Sequence, residues 1–318
     1  MPSHAYRNRR DPGDPDAQLG APDSPAEALT LSSCIHEHLT RLIALEQPRV
    51  TMRVASIMLG MGPTPCTLMQ AARLLYDLSK RPEHDTLFHE VALLPRVLQC
   101  VTRVVRTRCS EPQAALSLDA AVLLLGALKN VTACVALRHA LAQCGGVGVM
   151  LRTLRVCADE DGGAGGGGAA CIAITVQALG TLRNFAASAE LCPELLDGGI
   201  ASAMRGVAPA AARSDEVAFG VARLLAKLSL CERAVDVFLA DHEAICGFVH
   251  AASAHPGNLA TALRFAFALA NLAADSSQNA ATVGAVRLLP SASCRLLLPA
   301  CGCQHQHCRI FCHSIDGR

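Results

Sequence analysis

From about Pro25 onward, Leu, Val and Ala recur at three- and four-residue spacings, and strand-like alternation is scarce. That period puts apolar side chains on one stripe of a helix, so the chain reads as helical almost throughout. Five segments share a finer motif of apolar residues, a polar residue, an aliphatic and then a small residue. They are Leu74–Ser79, Leu128–Thr132, Leu182–Ala186, Leu225–Ser229 and Leu269–Ala273. Their polar anchors are Asp77, Asn130, Asn184, Lys227 and Asn271, spaced by 53, 54, 43 and 44 residues. The last two spacings fit helical-repeat units. The first two are lengthened by a loop expected around Arg108 to Pro112 and by a Gly-rich insertion at 159–168.

A second pattern follows each anchor. After Asn130 come Leu141, Cys144, Gly145 and Gly146, then Val147 to Leu154; after Asn184 come Leu195, Leu196, Gly198 and Gly199, then Ile200 to Val207. A Gly pair after a helical run suits a left-handed helix stop. After Lys227, Asp241-His242-Glu243 stands in place of the glycines. One unit therefore reads as short helix, turn, helix, helix. Such a unit cannot bury its own apolar face, so stacked neighbours must do it. Ala26 to Met61 is expected to supply a capping unit. Residues 1–24, with Pro2, Pro12, Pro15 and Pro22 among Arg, Asp and Gly, read as a disordered tail.

At these residues the chain resembles the armadillo-repeat family. Asn271 to Ala273 and Asn184 to Ala186 match its third-helix signature, and Gly198 to Ile200 matches the turn before the next repeat. The resemblance covers about 50–290. It implies an all-α, right-handed solenoid of about five armadillo-like repeats over 25–289, which binds proteins and catalyses nothing. The order of Thr181–Asn184, Val221–Ser229 and Arg264–Leu272 is most similar to a member of motile cilia and sperm flagella. That likeness implies a cytoplasmic, cilium- or flagellum-directed adaptor for axonemal parts, with radial-spoke or intraflagellar-transport components as partners. The chain is short beside that member, so a fragment of a longer protein or an incomplete gene model is expected.

In the importins and catenins, third-helix Asn residues form a ladder on the concave face. The resemblance gives Asn130, Asn184 and Asn271 that role, since an amide both donates to and accepts from a peptide backbone. Asp77 and Lys227 break the run. The bland alternative is that each Asn satisfies groups within its own stack. Positions four and seven before an anchor share its helical face. There stand Arg73 and Gln70, Gln177, Arg223 and Arg264, which with Lys227 make a basic, amide-rich groove suited to an acidic, extended partner segment. A solvated face with scattered charges is the competing reading.

Composition narrows the alternatives. Hydrophobic residues make up 51%, aromatics 3%, and Trp is absent. A catenin- or importin-like peptide scaffold, the runner-up, would want an unbroken Asn ladder with interleaved Trp. The net charge of +1 selects no nucleic acid. The apolar stretch from Gly165 to Leu182 starts with four glycines and includes Gln177, so membrane insertion is not expected. Sixteen cysteines are scattered through apolar segments, where free Cys acts as a small hydrophobe. The polar opening of the chain reads as no signal peptide, which favours a reducing compartment.

Candidate chemistry is sparse. The tail gathers Cys301, Cys303, His305, His307, Cys308, Cys312 and His313, which are zinc-ligand types. Their crowding into one short stretch does not match a structural zinc site. The repeat pattern also stops near Leu289, so 290–318 reads as an intron read-through or frame error. The Gly run lacks the Lys and Ser/Thr of a phosphate loop, and no nucleophile elbow or His-Glu-x-x-His helix occurs. No cofactor, metal or catalytic residue is expected. A thiol or metal enzyme using the tail is the reading from another class.

Overall fold

The computed structural model describes residues 47–90, 93–106, 114–160 and 168–273, together with Cys34 and His38. Residues 161–167 of the insertion expected at 159–168 and both expected tails, 1–24 and 290–318, lie outside the described residues, as does most of the expected capping piece; 159, 160 and 168 are helical. The chain divides into two compact units, Met1–Gln47 and Pro48–Arg318. Every helix below belongs to the second.

Among the described residues there is no strand. The first helices are α1 (Pro48–Gly60), α2 (Pro65–Leu78), α3 (Asp85–Glu90), α4 (Leu93–Arg106) and α5 (Ala114–Val131). Then come α6 (Val135–Gln143), α7 (Gly146–Glu160) and α8 (Gly168–Phe185). The last are α9 (Cys192–Asp197), α10 (Ile200–Arg213), α11 (Asp215–Leu228), α12 (Glu232–Ala240), α13 (His242–Ala254) and α14 (Leu259–Ala273). No single helix among them is long and apolar enough to cross a membrane.

The helices pack in rows. Each of α2, α5, α8, α11 and α14 lies against the next, and α1, α4, α7, α10 and α13 do the same in a second row. Within each set the two long helices also pack on each other, as α7 does on α8 and α10 on α11. Interior helices thus meet neighbours on several sides, which is why α5 and α8 carry apolar residues around most of their circumference. Leu124, Leu125 and Leu128 of α5 and Ala178, Leu179 and Leu182 of α8 are at most 2% exposed. Each such Leu contributes about 1.5–3 kcal/mol. Alanines at Ala120, Ala121, Ala218 and Ala222 are buried and let backbones approach closely. Larger gaps are filled by Phe185, Phe238, Phe248 and Phe265; the rings of Phe238 and Phe248 meet edge-on at 5.9 Å.

The turns follow local chemistry. Gly145 and Gly199 have φ of +80° and +78°, the left-handed conformation expected of them. Where Asp241 replaces glycine, its carboxylate accepts from the backbone N–H of Ala244 at 3.1 Å and caps α13 instead. Thr64 and Ser214 cap α2 and α11 in the same way. Two basic side chains close the ends of α2 and α5. His84 Nδ1 sits 3.2 Å from the Leu78 carbonyl. Arg138, only 9% exposed, donates to the Thr132 and Ala133 carbonyls beyond α5 and to the Ser188 hydroxyl of the next set. A guanidinium with five donors suits carbonyls that a helix end leaves without partners.

Candidate protein-binding face

All five anchors fall at the C-terminal ends of the row α2–α5–α8–α11–α14. That row brings Arg73, Asn130, Gln177, Asn184, Arg223, Lys227, Arg264 and Asn271 onto successive helices. Their side chains divide into two groups.

The Asn residues reach back to the preceding set. Asn130 Nδ2 donates to Ser79 Oγ at 3.0 Å, and Asn271 Nδ2 donates to Ser229 Oγ at 3.0 Å. Asn184, 6% exposed, donates to the Lys129 carbonyl at 2.9 Å and to Thr132 Oγ1 at 3.0 Å. Its carbonyl oxygen accepts from Arg183 at 2.6 Å. Ser79, Thr132 and Ser229 each stand two residues after an anchor. The exception is instructive: Lys227 follows a set whose equivalent residue is Ala186, which offers no hydroxyl, and Lys227 points outward and is exposed. The amides are therefore inter-helix clasps, present where the preceding set supplies an oxygen.

The cations lie on the outward side. Arg73 is exposed, while Arg223 and Arg264 are half-buried. The guanidinium carbons of Arg223 and Arg264 sit 5.3 and 4.9 Å from the Phe219 ring centroid, so one ring holds two cations. Lys129, one residue before its anchor, joins them by an indirect route. A Cβ on Gly180 of α8 would lie 2.7 Å from Lys129 Cδ, so the lysine stem crosses α8 at a position only glycine leaves open. Burial holds the Lys129 ammonium below the usual lysine range, and the Arg223 charge pushes it further down. Arg223 in turn is lowered by burial and then by Arg264. Like charges thus repel across α5, α11 and α14.

Carboxylates do not relieve this. Among the described residues, Arg73, Lys129, Arg183, Arg223, Lys227 and Arg264 have no ion pair, whereas Arg49, Lys80, Arg205 and Arg233 do. Within α11 the acids are Asp215 and Glu216, the nearer being two turns before Arg223 and about 10 Å along the axis. At the α2 end the face is mixed. A groove of about 560 Å³ has Met69, Val122, Leu123 and Ala173 in its walls, and Arg73, Asp77 and Asp119 also line it. Gln177 lies between the two regions, and its buried Oε1 has no hydrogen-bond partner among the described residues.

Sequence reasoning missed Lys129, Arg183 and Phe219. Their signal was faint: a cation beside the anchor, and a glycine one set later at the point it crosses.

The arrangement defines an all-helical stack of repeated helix sets. The chain is similar to armadillo repeat-containing protein 2 of Mus musculus, with 21% identity over 244 residues. The match covers 76% of this chain and 27% of the mouse protein, so the chain spans about a quarter of that relative. No family model matches the chain.

Proposed function

We propose that this chain is a protein-binding adaptor, a right-handed solenoid of about five armadillo-like repeats whose third-helix row receives an extended acidic segment of a partner protein. The observation carrying the proposal is the run of Lys129, Arg223 and Arg264 with no carboxylate partner among the described residues, the two arginines sharing the Phe219 ring and the charges mutually repelling. An incoming carboxylate relieves that repulsion, so binding gains from charges already partly stripped of water. Lys227 and Arg73 extend the cationic line, Gln177 offers an amide, and the Asn clasps set the spacing between successive helices.

The partner class follows from the armadillo resemblance. It points to assembly or transport of axonemal components, with radial-spoke or intraflagellar-transport proteins as cargo, in the cytoplasm and cilium or flagellum. Affinity capture of the chain from ciliated and non-ciliated cells tests this. Radial-spoke or intraflagellar-transport proteins recovered only from ciliated cells, and lost when Arg223 and Lys227 are both changed to Glu, are the expected result. Nuclear cargo alone would overturn the ciliary reading in favour of an importin-like scaffold. Capture unaffected by the charge reversal would overturn the acidic-segment site.

A further inference from the structure

The first helices of neighbouring sets bring two thiols together. Cys192 opens α9 and Cys231 is the N-cap of α12. Their sulfur atoms stand 2.8 Å apart, with Cys192 donating to Cys231. A disulfide bond measures about 2.05 Å, so bond formation needs a closure of only about 0.8 Å. The two differ in access: Cys192 is 4% exposed, and Cys231 is half-buried.

We infer that Cys192 and Cys231 form a reversible inter-helix disulfide that locks the α9–α11 set to the α12–α14 set, made by exchange with a small-molecule disulfide such as oxidised glutathione. Cys231 is the sulfur that the reagent reaches. Its thiolate attacks one sulfur of the reagent disulfide, a Cys231–glutathione bond forms, and one glutathione leaves as thiolate and takes up a proton. Cys192 then loses its proton to solvent, attacks the Cys231 sulfur and expels the second glutathione. Two protein thiols are oxidised and one glutathione disulfide is reduced to two glutathione thiols, so electrons and protons balance.

The environment makes the pair selective. Burial pushes the Cys192 thiol up to about 12, and the hydrogen bond and charge of Cys231 add to the rise. Cys192 is therefore inert toward reagents in solution and reacts with the neighbour already beside it. The crosslink encloses α9, α10 and α11 in one covalent loop and tethers the base of α12. Because α10 packs on α13 and α11 on α14, it restrains the separation of two whole sets. A loop of that length restricts the unfolded chain appreciably.

The experiment equilibrates the full chain in glutathione buffers from fully reduced to fully oxidised, traps thiols with iodoacetamide, and maps peptides by mass spectrometry. The expected product in oxidised buffer is a Cys192–Cys231 linked peptide pair, lighter than the two free peptides by two hydrogens. It is accompanied by a rise in Tm of about 5–10 °C that dithiothreitol reverses. Slower amide exchange across α12 should follow. Cys231→Ser places a favourable N-cap residue at the same position and must abolish both the pair and the shift; Cys192→Ala must do the same. Recovery of both thiols unlinked in oxidised buffer would overturn the inference. So would Cys231 recovered only as a glutathione adduct, or either residue linked to a different cysteine.

Discussion

Asn184 is where the stack should be most sensitive to a single amide. Its Nδ2 bonds the Lys129 carbonyl at 2.9 Å and Thr132 Oγ1 at 3.0 Å from a site 6% exposed. The Lys129 carbonyl belongs to the last turn of α5, where no further helical N–H is due to reach it. The Thr132 hydroxyl already donates to the Leu128 and Lys129 carbonyls, so Asn184 supplies the donor it accepts from. Asn184→Ala removes both donor bonds and leaves the Lys129 carbonyl with only its share of the Thr132 hydroxyl. Each lost bond costs about 1 kcal/mol, so the two together cost about 2 kcal/mol. Urea unfolding at unchanged m reads this as a lower midpoint. A double-mutant cycle with Thr132→Val should show coupling of about 1 kcal/mol, because both changes remove the same bond. A loss below about 0.5 kcal/mol, or additivity in the cycle, would refute the assignment of Asn184 as a clasp.

The clasp rule extends to a position that lacks it. Ala186→Ser together with Lys227→Asn should build the missing bond and gain about 1 kcal/mol over the sum of the single changes, read by the same unfolding cycle. Lys129→Met keeps the stem over Gly180 and removes a charge penalised by burial and by Arg223. Because the folded lysine pKa is lowered, its charge destabilises the fold at neutral pH, and that penalty fades as pH rises through the lowered value toward the ordinary lysine range. The variant should thus be more stable by about 0.5 kcal/mol near pH 7, the figure being modest because Lys129 is half-exposed, and the gain should vanish at alkaline pH in a pH series of melts. The same variant should bind an acidic peptide more weakly, which separates the charge's cost in stability from its use in binding.

Much of the architecture is legible in the chain. The anchors, the short helix followed by two long ones, and the stops at Gly145 and Gly199 all follow from hydrophobic period and turn chemistry. The direction of the Asn side chains does not, because an amide at a helix end suits either a peptide backbone or a neighbouring hydroxyl. The deciding residues, Ser79, Thr132 and Ser229, belong to the preceding set, and only packing reveals which hydroxyl faces which amide. Arg73, Arg223, Lys227 and Arg264 could be placed on one face by counting from the anchors. Lys129 could not, since its route depends on Gly180 being bare on a different helix. The Cys192–Cys231 contact is likewise a product of stacking, as the two residues occupy different positions in their sets. Among the Cys/His-rich tail and the Gly run, the expectations fall on residues outside those described.

Titration of a fluorescein-labelled poly-glutamate peptide against the full chain and against a form carrying Arg223→Glu and Arg264→Glu tests the central claim most directly. A cationic site for an acidic segment predicts saturable anisotropy for the native chain that weakens with added salt. It predicts affinity at least about tenfold lower for the reversed form, with the helical circular-dichroism spectrum unchanged. Equal affinity for the two forms, or binding insensitive to salt, would contradict it.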